Sequence, residues 1–230
     1  MNIALLITTH KRHEITEICF DGVKRLQWIF KQAGFRLKPY IAVSDHENTE
    51  LCLTYDFDFI KLPNDQLGKK HNDLLNYARK FDPDYYMQLG SDDLLTDSGA
   101  FKIIAEMITL NKFFGFSDLV LWHKETNKCK IHNAKIVFGA GRCMHHSVID
   151  TCLEQLGYVW TDNRQRGLDG DSAANLNAAY KKKYNRCLMP HRIQTRVPCI
   201  VDIKSDLNLN PFDSIPGRNA PFVQLCAEMK

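Results

Sequence analysis

Several absences narrow the reading of this sequence before any motif is considered. No apolar run approaches the length needed to span a bilayer. The N-terminal stretch MNIALLITTHKRHE has no basic segment ahead of its short apolar run, so it reads as a buried strand and not as a signal peptide. These two absences predict a cytoplasmic protein whose thiols stay reduced. The eight cysteines are scattered and include no Cys-x-x-Cys pair. Most of them sit beside apolar residues, as small core residues do. There is little excess of one charge: 30 Lys+Arg against 27 Asp+Glu give +3, too mild to announce nucleic-acid binding and equally suited to an anionic small molecule. No internal repeat, low-complexity segment or clear linker is present.

What is present is ordinary globular composition. Of 230 residues, 44% are hydrophobic and 25% charged, which excludes disorder, collagen-like sequence and coiled coil for the chain as a whole. A chain of this length buries about 70% of its surface on folding, enough for one core. We therefore expect a single domain over 1–230. One cluster has metal-like chemistry: Cys129-x-x-His132 with Cys143-x-His145-His146. Four such ligands suit tetrahedral zinc, but the spacings match no finger, and unlinked core residues are the favoured reading.

Strand and helix alternate four times in the first half. Ile3 to Thr9 is a continuous apolar run of the kind buried on both faces of a parallel sheet. A helix follows, with Ile15, Ile18, Cys19, Gly22, Leu26, Ile29 and Ala33 at helical spacing and Gly34 as its stop. Leu37 to Val43 is a second strand, residues 47–55 a short helix, and Phe57 to Leu62 a third strand. A helix over about 67–80 places Leu67, His71, Leu74, Leu75 and Ala78 on one face. Tyr85 to Leu89 is the fourth strand. The next helix should turn Phe101, Ile104, Ala105 and Ile108 inward, with Asp97 or Ser98 as its N-cap. The pattern predicts an α/β fold with a doubly wound, mostly parallel sheet.

The second half is less regular. Residues 119–122, 128–132 and 136–138 are expected as strands, with helices over about 146–156 and 172–182 and a late strand from Pro198 to Lys204. The tail, with Pro211, Pro216, Gly217 and Pro221, is expected to be irregular.

The chemistry concentrates where the fourth strand runs into Gly90-Ser91-Asp92-Asp93. In an open α/β sheet, ligands bind at the carboxyl ends of strands. Two acids there are hard oxygen ligands for Mg²⁺ or Mn²⁺, ions that hold a diphosphate, although Asp is also common in turns and caps. Lys69-Lys70-His71-Asn72 and Thr8-Thr9-His10-Lys11-Arg12 should converge on the same sheet edge.

With these elements the chain resembles the nucleotide-sugar glycosyltransferases of the GT-A fold, in particular family 2. The resembling elements are Ile7-Thr8-Thr9-His10-Lys11-Arg12 after the first strand, His71-Asn72 to Tyr77-Ala78 on the third helix, and Gly90-Ser91-Asp92-Asp93, in matching order over about residues 1–110. Gly139-Ala140-Gly141-Arg142 and Leu168-Asp169-Gly170-Asp171 match more loosely. The resemblance implies a nucleotide-sugar-binding half over 1–110 and a smaller, irregular acceptor-binding half over 111–230. It implies Mn²⁺ or Mg²⁺ at Asp92 and Asp93, with His191 completing the metal shell or remaining a loop histidine. It implies donor contacts from Thr8, Thr9, His10, Arg12, Asp45, Lys70, Asn72 and Ser91.

Two departures stand out. Gly90 occupies the place of the family's first strand-end acid, which usually touches the donor ribose, and the acid-rich run after the second strand is reduced to Ser44-Asp45-His46-Glu47. Asp169 and Asp171 stand where the family carries its general base, and a carboxylate suits that task. Asp171, before Ser172-Ala173-Ala174, equally fits a helix N-cap, with Asp169 left in the loop. Lys204 is placed to meet a diphosphate or simply to be solvated. The run Lys181-Lys182-Lys183 is a solvated face or a phosphate contact for the acceptor. The implied reaction is metal-dependent, inverting transfer of a hexosyl-type sugar from a nucleoside diphosphate sugar to an acceptor hydroxyl. The acceptor is left open among a glycan, a lipid-linked sugar, a small molecule and a modified DNA base. Two other readings compete. A sugar-phosphate nucleotidyltransferase of similar fold is disfavoured because Thr8 to Arg12 has no glycine with which to cradle a triphosphate. A non-catalytic binding module draws its support from Gly90.

Overall fold

The computed structural model describes residues 1–195, 199–205 and 212–220. In chain order the elements are β1 (Asn2–Thr8), α1 (His13–Gln32), β2 (Arg36–Val43), α2 (His46–Thr54), β3 (Asp58–Lys61), α3 (Leu67–Arg79), β4 (Tyr85–Gly90), β5 (Asp93–Leu95) and α4 (Asp97–Ile108). There follow β6 (Phe113–Phe116), β7 (Asp118–His123), β8 (Lys128–Asn133), β9 (Arg142–His145), α5 (His146–Leu156), α6 (Leu168–Tyr184), β10 (His191–Ile193), β11 (Ile200–Lys204) and β12 (Arg218–Ala220).

β1 is central because both of its faces are apolar. Ile3, Leu5 and Ile7 point toward a layer containing Cys19, Phe20 and Phe30 of α1, Cys52 of α2, and Ile103 and Met107 of α4. Ala4 and Leu6 point the other way, toward Leu74 and Leu75 of α3, Val148 and Ile149 of α5, and Leu176 and Ala179 of α6. A fully buried side chain such as Leu5 contributes about 1.5–3 kcal/mol. β1 pairs in parallel with β2 and β4, with Leu5 opposite Pro39 and Met87. The seven-stranded sheet runs β10-β6-β9-β4-β1-β2-β3, with β9 antiparallel to both β4 and β6. A second sheet of five strands, β12-β8-β7-β11-β5, branches off where β4 ends. Its Leu95, Leu121 and Ile200 join the core of the first sheet.

The structure corrects several expectations. Residues 136–138 form no strand; Phe138 N–H donates to the Phe116 carbonyl at 2.9 Å from an irregular loop. The sequence pattern does not predict β5, β6, β9, β10 or β12. On α4 the inward face is Ala100, Ile103, Ile104 and Met107, while Phe101 and Ile108 are about 60% exposed. The N-cap of α4 is Thr96, whose hydroxyl accepts from Gly99 N–H, and not Asp97 or Ser98. α6 begins at Leu168, capped by Gly167 in the left-handed region, so Asp169 and Asp171 both lie in its first turn and Asp171 is not its cap. Pro198, Pro211, Pro221 and Cys226 lie outside the described residues.

A zinc site is also not assembled. Cys129 packs on β8 with Ile15 and Val201, whereas Cys143 sits on β9 in the core of the other sheet. His132 Nδ1 meets the Pro216 carbonyl at 2.7 Å, and His145 Nδ1 meets Ser147 Oγ at 2.9 Å. Among the described residues no helix is long and apolar enough to cross a membrane.

Candidate active site

β4 delivers its acids to the line where the two sheets meet. After Gly90 the chain turns through Ser91-Asp92 into β5, and the Asp92 carbonyl accepts from Ile203 N–H of β11 at 2.7 Å. That contact brings Asp202 beside the pair. Asp92, Asp93 and Asp202 offer carboxylate oxygens that all lie within 4.8 Å of one another. Gly90 N–H donates to Asp93 at 2.6 Å, and a Cβ on Gly90 would stand 2.7 Å from an Asp92 oxygen and 2.8 Å from an Asp93 oxygen. A side chain at this position would have to push the two carboxylates aside.

Two cations face the carboxylates. Lys204 Nζ contacts Asp202 at 2.7 Å, and Arg12 Nη1 contacts Asp92 at 2.6 Å while its Nη2 reaches Ser91 Oγ at 3.4 Å. Arg12 holds this position from a left-handed backbone, φ 50°, directly after Lys11 at 55°. Two consecutive non-glycine residues in that region are uncommon, and such conformations concentrate at functional sites. Burial, reinforced by the Asp92 and Asp202 charges, pushes Asp93 well above the usual carboxylate range. Burial and Asp92 push Asp202 up to about 6, against the pull of Lys204. Burial works against the Lys204 ammonium, but Asp202, Asp92 and Asp93 together hold it above the ordinary lysine value.

Asp92, Asp93, Asp202 and Lys204 form one wall of a cleft of about 460 Å³, lined also by Thr8, His71, Gln88, Phe138, Gly139, Arg166 and Asp169. Asp169 projects from the first turn of α6, its side chain 37% exposed. Asp171, two residues on, is turned away: its carboxylate accepts from Thr161 N–H at 2.7 Å and Thr161 Oγ at 2.9 Å. A hollow of about 520 Å³ lined by Lys31, Arg36, Lys38 and Asp58 lies at the opposite, amino-terminal edge of the parallel strands. Ligands of open α/β sheets bind at the carboxyl edge, so the smaller, carboxylate-lined cleft is the candidate site.

Of the residues expected from sequence, Thr8, Asp92, Asp93, Asp169 and Lys204 line this cleft. The rest are placed otherwise. Lys70 is buried beneath it, donating to the Thr9 carbonyl at 2.6 Å, to Asn64 at 3.1 Å and to Ser44 Oγ, and burial lowers it to about 8. Thr9 is buried with it. Asp45 caps α2 through Asn48 N–H at 2.9 Å and holds Lys11 N–H at 2.9 Å, with His10 at 3.9 Å, and it lines a neighbouring hollow with Ser44, His46 and Lys61 and not this cleft. Asn72 clamps the loop after α5: its Oδ1 accepts from Val159 and Trp160 N–H, each at 3.1 Å, and its Nδ2 donates to the Trp160 carbonyl at 2.6 Å. His71 does line the cleft; brought down to about 3 mainly by burial, it stays neutral, with Nε2 3.5 Å from Thr8 Oγ. His191 is not brought to the acids; it lies on edge strand β10, 3.5 Å from Glu106. Asp202 stands third in the cluster instead. The sequence signal for Asp202 was its place two residues before Lys204 on an apolar late strand. Lys181–Lys183 lie in the last turn of α6 and do not line the cleft.

No protein-family model and no curated protein matches the sequence. Among solved structures, TarS 1–349 from S. aureus is similar with a TM-score of 0.58 and 11% identity, over 88% of this chain and 60% of that one. The same fragment in complex with UDP-GlcNAc gives a TM-score of 0.56 and 13% identity, over 93% and 63%. The chain thus spans less than two thirds of those structures. The likeness is one of fold: the chain shares the mixed α/β, GT-A-like architecture of those structures.

Proposed function

We propose that this chain is a metal-dependent, inverting glycosyltransferase that moves a hexosyl-type sugar from a nucleoside diphosphate sugar to an acceptor hydroxyl. The observation that carries the reading is the Asp92–Asp93–Asp202 cluster with Asp169 lining the same cleft. The cluster fits a divalent cation: it is all hard oxygen, and Asp202 Oδ1 is buried with no hydrogen-bond partner. Mn²⁺ or Mg²⁺ bound there supplies charge neutralisation to a departing diphosphate. Lys204 and Arg12 add fixed positive charge at the same place. Thr8 and Gln88 border the space for the donor, and residues 1–110 form the donor half in this reading. Asp169 takes the proton of the acceptor hydroxyl as its oxygen attacks the anomeric carbon. The bond from that carbon to the diphosphate breaks, and the nucleoside diphosphate leaves with the electron pair. The similarity to a fold that binds UDP-GlcNAc in TarS supports a UDP-sugar as the first donor to try.

The test is incubation of the full chain with a panel of UDP- and GDP-sugars and Mn²⁺. Release of UDP or GDP, lost on chelation, is expected. Pyrophosphate release from a sugar phosphate and a nucleoside triphosphate would identify a nucleotidyltransferase, and silence in both assays a binding module.

A further inference from the structure

Arg142 is a fully buried cation on β9. Its Nη1 donates to Ser172 Oγ at 2.5 Å, and its Nη2 donates to the Val137 carbonyl at 2.8 Å and the Asp169 carbonyl at 3.0 Å. Its Nε has no hydrogen-bond partner. The Asp169 carboxylate, 3.9 Å from Nη2, supplies the countercharge. A buried charge left so incompletely paired is costly and persists where a structure needs it. The three contacts tie the loop over Val137 to Gly141 to the first turn of α6, and both border the cleft. Within that loop a Cβ on Gly139 would run into Asp169 Oδ1. Gly139 has no positive φ to require glycine; what a side chain there would do is push the Asp169 carboxylate from its seat.

We infer that Gly139 and Arg142 are positioning residues for Asp169: Arg142 fixes the helix turn from below, and the bare Gly139 backbone seats the carboxylate so that it faces the cleft. The inference rests on the reading of Asp169 as general base. It makes the aim of the base a property of the loop and not of α6 alone. A general base must reach its proton within hydrogen-bond distance, so a shift of about 1 Å is enough to cost turnover.

The test uses Gly139→Ala, Arg142→Lys and, as control, Gly170→Ala, whose new methyl meets nothing within 4 Å. Nucleotide-sugar hydrolysis with Mn²⁺ is measured across UDP- and GDP-sugars, together with Tm. Gly139→Ala should lower kcat by about 10-fold or more, with the donor KM within about twofold. Arg142→Lys keeps the charge but cannot span three acceptors, so it should show the same split where it folds. Gly170→Ala should turn over like the wild type. Independently of activity, Gly139→Ala should lower Tm by about 2–4 °C, and that loss should vanish in an Asp169→Ala background, where the clash is gone. Unchanged kcat in Gly139→Ala, or a Tm loss that Asp169→Ala does not relieve, overturns the inference. A wild type that hydrolyses no nucleotide sugar, with the Tm coupling intact, overturns the enzymatic reading while leaving the seat of Asp169 in place.

Discussion

Asp169 and Asp171 show how finely roles divide between neighbouring residues. Both lie in the first turn of α6, but the helical rotation of two positions sends one carboxylate into the cleft and the other onto Thr161. The sequence identified the pair but could not divide it, because the division depends on where the helix starts. Asp169→Asn should keep Tm and nucleotide binding and lose turnover by about 10²-fold or more, measured as UDP or GDP release. Asp202 carries a pH prediction. Its folded-state value of about 6 lies above that of an unfolded aspartate, so its protonation favours the metal-free fold, fully below about pH 4 and no longer well above pH 6. A cation needs the ionised form. The Tm gain produced by Mn²⁺ with UDP should therefore shrink as pH falls from about 8 to about 5, and Asp202→Asn should reduce that gain at pH 8. A gain independent of pH across this range would remove Asp202 from the metal shell.

At the scale of elements, the parts legible in the sequence are those whose periodicity is local. β1 to β4 and α1 to α3 follow from apolar runs and helical spacing to within a residue or two. Of the second sheet, β7, β8 and β11 follow from their apolar runs in the same way, but β5 and β12 do not, because they are three residues each and gain their place only by pairing with β11 and β8. On α4, the exposed Phe101 and Ile108 misdirected the facing by their apolarity. Asn72 and Lys70 stood in the right neighbourhood for a donor site, yet the structure uses them between elements. Asn72 joins α3 to the loop that leads into α6, and its loss leaves the buried N–H groups of Val159 and Trp160 without an acceptor. Asn72→Ala should cost about 2–3 kcal/mol, a Tm loss of about 4 °C or more, while the affinity for UDP with Mn²⁺ changes only a few-fold. Collapse of that affinity at unchanged Tm would return Asn72 to the ligand.

For the molecule as a whole, the candidate metal site belongs to neither sheet alone. Asp92 follows β4 of the first sheet, while Asp93 and Asp202 lie on β5 and β11 of the second, and the Asp92 carbonyl to Ile203 N–H bond holds the junction. A cation bound there would relieve the repulsion among three crowded carboxylates, two of them raised by burial, beyond what Lys204 and Arg12 already offset. Binding should then stabilise the whole chain and not one loop. A ligand at a hundred times its Kd contributes about 2.7 kcal/mol, or about 5–10 °C in Tm for a chain of this size. UDP or GDP with Mn²⁺ should give such a shift, Mn²⁺ alone a smaller one, and a free monosaccharide none. Asp92→Ala should abolish the nucleotide-dependent part while the metal-free protein stays folded, since a turn residue contributes little to the core. A full shift in Asp92→Ala would mean that the nucleotide binds elsewhere, and the junction between the sheets would lose its claim to be the site.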